Sequence, residues 1–155
     1  MKSFSQSFKI TLTVISVFTI AIMSIMDLNA SHMTNPLWPA HARFHWVIQY
    51  FSAVAVNVIG LFMLWGKYKE KGSNLSVLFI GLNPLLFWAM FFPALLMPGT
   101  GTWPDGVTPP VGFPEIFKLI HPNLIMATLI TILAPIMTIK EIRNPIKSLR
   151  DFVYE

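Results

Sequence analysis

No cysteine occurs anywhere in the 155 residues. That excludes disulfides, thiolate nucleophiles, Cys-ligated zinc or iron–sulfur centres, and quinone chemistry that runs through a CxxC pair. Charge is nearly as scarce. Only 12% of residues are charged and 54% are hydrophobic, with a mean hydropathy of +0.61, whereas a soluble domain is roughly a quarter charged. A chain this poor in ions is built for lipid. A spanning helix needs about 20 mostly apolar residues, so the length has room for about four spans and no separate soluble domain. The net charge of +4 does not point to nucleic acid, because the basic residues flank apolar segments instead of interleaving with aromatics in a polar domain. Internal repeats, low-complexity segments and coiled-coil heptads are also missing.

What is present is four apolar runs, which predict an all-α, integral membrane four-helix bundle forming one transmembrane domain over 1–155, with helices at about 10–26, 44–65, 75–97 and 114–139. The first run follows Lys2 and Lys9 as a signal peptide would, but it is too long for an h-region and no A-x-A site follows, so it reads as a retained helix. Asn35-Pro36 and Trp38-Pro39 separate it from the second. Pro84 and Pro93 each delete a backbone donor from the third, which predicts a bend. The fourth opens near Pro114, a favourable first-turn position, and continues past Pro122 and Pro135, which predicts a kink here too. Trp38, Trp46, Trp65 and Trp103 fall at predicted helix ends, where amphipathic rings settle at the headgroup level.

Orientation follows from Lys and Arg, which concentrate on cytoplasmic flanks. Lys2, Lys9, Lys67, Lys69, Lys71, Lys140, Arg143, Lys147 and Arg150 fall on one side of a four-span chain, and only Arg43 and Lys118 fall opposite. Both termini are therefore expected in the cytoplasm, in a bilayer such as a bacterial inner membrane.

The other, outer end collects His32, His41, His45 and His121 with Asp27, Asp105 and Glu115. If the chain is helical from Ala40, His41 and His45 lie one turn apart on one face, a spacing at which two imidazoles can share a metal, and Gln49 continues the stripe. His32, Asp27, Glu115 or His121 are candidates for a third ligand. Met23, Met26 and Met33 around His32 form a set suited to Cu(I), and a haem clamped between His41 or His45 and His121 is a further option. Against these stands the plainer reading of an interfacial histidine pair that satisfies loop carbonyls or caps a helix. Arg43 points away from the histidine stripe and is a candidate partner for Asp27, Asp105, Glu115, or a lipid phosphate or substrate carboxylate. Glu115 suits the positive start of the fourth helix, and a local pair with Lys118 is open to it. Deeper in the spans, Asn57 and Asn83-Pro84 place amides where they either bridge helices or line a ligand cavity. The outer loop carries a Pro104-Asp105-Gly106 turn and reads either as a rigid connection or as a lid over the polar cluster.

The segment from Asp27 to His45, D-x-N-x-x-H-x-x-N-P-x-W-P-x-H-A-R-F-H, resembles a pattern in a family of small, uncharacterised four-helix membrane proteins of bacteria and fungi. The resemblance covers the first loop and the start of the second helix. It implies the architecture and singles out Asp27, Asn29, His32, Asn35, Trp38, His41, Arg43 and His45 without assigning roles. In architecture the chain is also similar to the sterol-isomerase and sigma-2-receptor type, in which acidic residues sit in a lipid-facing cavity. That likeness implies such a part for Asp27 and Glu115.

Two functions follow as expectations. One is a binding or accessory protein, such as a subunit of a larger membrane complex, whose outer His/Asp/Arg cluster holds a metal, lipid or small apolar ligand. The other is a membrane enzyme on a lipid-like substrate, with His41, His45 or His121 in acid–base or metal chemistry. Transport ranks last, because the ionisable groups stop near the outer face.

Overall fold

The structure, a computed structural model, describes residues 4–30, 32–66, 74–101, 112, 114–116 and 120–143. Among these the regular structure is all helical: α1 Gln6–Asp27, α2 Ala40–Trp65, α3 Asn74–Leu82, α4 Leu85–Trp88, α5 Phe91–Ala94 and α6 Pro122–Arg143. Three of them, α1, α2 and α6, are long and apolar enough to cross a membrane. At 1.5 Å per residue a 22-residue helix is about 33 Å long, against a hydrocarbon core of roughly 30 Å. The pair Asn74–Leu82 and Leu85–Ala94, bent by 44°, passes the same test as a unit.

Both N-terminal starts come earlier than the apolar runs predict. α1 begins at Gln6 because Ser5 caps it, its hydroxyl accepting from the Phe8 N–H at 3.3 Å. Phe8 and Leu12 in its first turns are fully buried. α2 begins at Ala40, directly after Pro39, so the H-A-R-F-H segment is helical. The third run is broken as expected. Asn83 and Pro84 separate α3 from α4, and a second interruption at Ala89–Met90 precedes α5, which contains Pro93.

The fourth run differs from expectation. Glu115 and Ile116 are helical, but Ile120 and His121 are not, and α6 starts at Pro122. Proline lacks an N–H, and the first turn of a helix is where a backbone N–H has no intrahelical partner to lose. Pro122 therefore starts a helix instead of kinking one. Pro135 stays inside α6 without ending it.

The core is narrow. Phe8, Leu12, Ile15, Leu64, Val77, Ile80, Trp88, Ala127 and Ile130 make one buried cluster from α1, α2, α3, α4 and α6. Outside it, Phe51 (63% exposed) and Leu96 (83%) are typical of many large apolar side chains turned outward, an arrangement costly in water and natural in lipid. α1 packs on α2 and α6, and α6 also packs on α3 and α4. α3 and α6 approach closely at Gly81, where an added Cβ would collide with the Thr138 side chain. Polar ties cross the other interfaces. The Trp88 Nε1–H donates to Thr19 Oγ1 at 2.8 Å, and the Ser24 and Tyr50 hydroxyls share a hydrogen bond of 2.8 Å.

The two ends of the molecule are different. At one, Lys9 lies 3.8 Å over the Trp65 ring and Trp65 donates to Thr13. At the same end the buried Glu141 carboxylate accepts the Ser5 N–H at 3.0 Å and the Ser5 hydroxyl. This joins the start of α1 to the ends of α2 and α6. Lys2, Lys67, Lys69, Lys71, Lys118, Lys147 and Arg150 lie outside the described residues. At the opposite end, the last turn of α1 meets the start of α2 and the start of α6.

Candidate functional site

Much of the distinctive Asp27–His45 segment is spent on holding its own loop. The last carbonyls of a helix lack intrahelical donors, and the Asn29 amide supplies them, donating to Ile25 O at 3.0 Å and Met26 O at 2.8 Å. The chain then folds back, with Met33 N–H on Asp27 O and Thr34 N–H on Asn29 O. Asn35 is buried, and its side-chain oxygen accepts the Leu37 N–H at 2.9 Å across Pro36, an Asx turn. Trp38 presents an edge contact to the His32 ring at 5.5 Å. His32 Nε2 in turn stands 3.9 Å from Asp27 Oδ1, near enough to sense the carboxyl group but too far for a hydrogen bond.

Asp27 and His32 line a cavity of about 250 Å3 where the ends of α1, α2, α5 and α6 converge. Gln49 and Trp46 of α2 and Thr100 after α5 contribute, as do His121 and Asn123 at the start of α6. Its inner wall is apolar, built from Met23, Phe87, Phe91, Leu95 and Leu124. His121 also serves as the cap of α6, since its Nδ1 accepts the Asn123 N–H at 3.2 Å. That bond needs an unprotonated Nδ1, so the neutral ring carries its hydrogen on Nε2. Burial, and then the nearby charge of His32, hold the His121 pKa below the ordinary imidazole value.

The other predicted residues lie elsewhere. His41 and His45 do sit one turn apart, their Nε2 atoms 3.0 Å from each other, but both are exposed and neither lines the cavity. Among the described residues no group of three or more His, Cys, Asp or Glu side chains is placed to hold a metal. The expected metal set of His41, His45 and His32 is therefore not brought together as one group among these residues. His32 faces Asp27 and Trp38, and His121, unlike His41 and His45, lines the cavity. Met23 lines the cavity, and Met23 and Met26 share a small adjoining space with Asp27. Arg43 forms no ion pair with Asp27 or Glu115 and stands outside the cavity, as does the exposed Glu115. Asp105 and Trp103 lie outside the described residues.

Two features had no clear signal in the sequence. Gln49 belongs with Asp27 and His121 and not with the histidine stripe. Glu141, at the basic end, is a buried structural acceptor.

The fold and cavity define a class: a helical chain with three apolar helices long enough to cross a membrane, four if the bent pair is one span, and a polar cavity at one end. Compared with protein-family models, curated proteins and solved structures, the chain matches none.

Proposed function

We propose that this protein is a four-span membrane bundle with both termini in the cytoplasm, and that its outer-end cavity binds a small amphipathic, lipid-like ligand. The fourth span in this reading is the bent α3–α5 segment. Lys9, Lys140 and Arg143 lie at the end opposite the cavity, which agrees with a cytoplasmic placement of that end. Protease or thiol-label access would test the topology, and finding residues 67–71 outside would refute it.

The observation that carries the ligand reading is the convergence of Asp27 and His32, from the end of α1 and the loop after it, with His121, from the start of α6, on one cavity with an apolar inner wall. Concave sites of this kind, mostly apolar with a few placed polar groups, are where small molecules bind. Polar side chains this close to a bilayer are costly unless they face water, the bundle interior or a ligand. Association with a partner subunit is compatible with this reading, since the exposed His41/His45 face lies away from the cavity.

Purified protein in lipid nanodiscs, extracted and analysed by mass spectrometry against empty discs, should yield an enriched amphiphile. Asp27→Asn together with His121→Ala should lose it while the protein remains folded. Equal lipid profiles in all three samples would refute the ligand reading. The imidazole–carboxylate contact of His32 with Asp27, sharing the cavity with a second imidazole, favours acid–base chemistry on such a molecule as the second reading. Turnover of the enriched amphiphile, lost in His32→Ala, would select it.

A further inference from the structure

The outer cavity has a continuation. Gln49 and Phe87 also line a second space of about 170 Å3 that passes inward between α2 and the broken α3–α4 segment. On α2 it follows Gln49, Ala53, Val56 and Asn57, which fall on one helical face at steps of four, seven and eight residues. Eight residues correspond to about 12 Å along the axis. Opposite lie Asn83 and Leu86, and the rim residues Ser52, Leu86 and Met90 are exposed. Together the two spaces reach the scale of small-molecule sites, roughly 300–1,000 Å3.

Asn57 and Asn83 are 3% and 5% exposed. Each spends its NH2 group on a helix carbonyl: Asn57 donates to Ala53 O at 2.8 Å, and Asn83 reaches across to Val56 O at 2.9 Å. Each side-chain oxygen is buried and has no hydrogen-bond partner. Turning the amides over does not help, because it would set each oxygen against the carbonyl that the NH2 now satisfies. A buried acceptor without a donor is a standing cost to the fold, and hydrocarbon offers no water to relieve it. Asn57 and Asn83, the residues that carry these acceptors, both line one groove, and among the described residues no ionisable side chain lines it with them. A cation would find no counter-charge there. A neutral hydroxyl would find two acceptors.

We propose that this groove is a hydroxyl subsite. The ligand is then an elongated amphiphile whose polar head occupies the cavity of Asp27, His32 and His121, and which carries a second hydroxyl about 12 Å further in, between Asn57 and Asn83. This rests on the ligand reading above and adds the chemical class. The exposed rim gives such a molecule a way in from the lipid side.

A pair of probes isolates the subsite. Radiolabelled α,ω-decanediol and decanol, which differ by one terminal hydroxyl, are titrated onto the protein in nanodiscs and corrected with empty discs. The diol should bind about tenfold more tightly, the net worth of one satisfied buried hydrogen bond. Asn57→Leu and Asn83→Leu should each erase that preference. Asn57→Leu should melt no lower than the unaltered protein, because it removes an acceptor that had no partner. Equal affinities in the unaltered protein, with decanol binding still weakened by His121→Ala, would overturn the subsite and leave the outer cavity standing. Binding of neither alcohol would overturn both. A preference that survives in both leucine variants would place the second hydroxyl elsewhere and overturn the assignment. The comparison in the unaltered protein decides the matter even if one variant fails to fold.

Discussion

Gly81→Ala is the sharpest perturbation of the bundle. The added methyl would lie 2.0 Å from Thr138 Oγ1, 2.9 Å from its Cβ and 3.0 Å from its Cγ2. Rotating the threonine side chain cannot clear the space, because its Cβ is fixed to the backbone and is itself too close. The hydroxyl is also held by a 2.7 Å bond to Ala134 O. α3 must therefore move away from α6 by about an ångström, loosening the neighbouring Val77, Ile80 and Ile130 of the core. Overpacking of this kind costs about 1–3 kcal/mol. In a membrane bundle, where close contact replaces the hydrophobic drive between helices, little offsets it. Unfolding by SDS titration from mixed micelles should show the loss. Thr138→Ala shortens the opposing side chain, so the double variant should be more stable than the sum of the single effects by about 0.5–2 kcal/mol. A Gly81→Ala protein as stable as the original, or strict additivity in the double variant, would refute the packing argument.

Three further outcomes follow from the site and its supports. His121 has a lowered pKa from burial and from His32, so the folded protein binds fewer protons there than the unfolded chain. Its contribution is unchanging at high pH and is lost progressively as the pH falls below about 6.5. His121→Asn, which keeps a capping side chain without titrating, should flatten that part of the stability–pH curve, and an unchanged curve would exclude His121 as the cause. Glu141→Ala should destabilise by about 1–3 kcal/mol by leaving the Ser5 donors unpaired, with Glu141→Gln milder; equal losses in SDS titration would contradict this. Trp88→Phe should cost about 1 kcal/mol by removing the donor to Thr19, and Thr19→Val should remove most of that difference.

The all-helical architecture and the long apolar helices were legible in the sequence because apolar length and proline positions act locally. The break at Asn83-Pro84 and the helical start that aligns His41 with His45 both follow from short stretches of chain. The start of α6 was not legible from hydropathy, because a helix drawn from Pro114 takes in Glu115, Lys118 and His121 before the continuous apolar stretch begins. There His121 capping its own helix outweighs hydropathy, although the His-Pro-Asn order was itself a start signal. Gln49 was misgrouped for a geometric reason. Steps of four residues drift about 40° each on a helix, so Gln49 stands about 80° around from His41, far enough to enter the cavity that His41 avoids. The Asp27–His32 contact and the roles of Asn29 and Asn35 are short-range and recoverable in principle. The meeting of His32 with His121, and of Ser5 with Glu141, depends on how whole helices pack, which no local pattern encodes.

The bond between Ser5 and Glu141 joins residues 136 positions apart. A ribosome releases the first long before the second exists. In the proposed bundle, α1 would enter the bilayer with its first turn open, and only the arrival of α6 would supply the carboxylate that completes it. Closure of the bundle is thereby tied to the emergence of α6, and in the proposed topology a chain arrested before it would keep the Ser5 donors unmatched at its cytoplasmic edge.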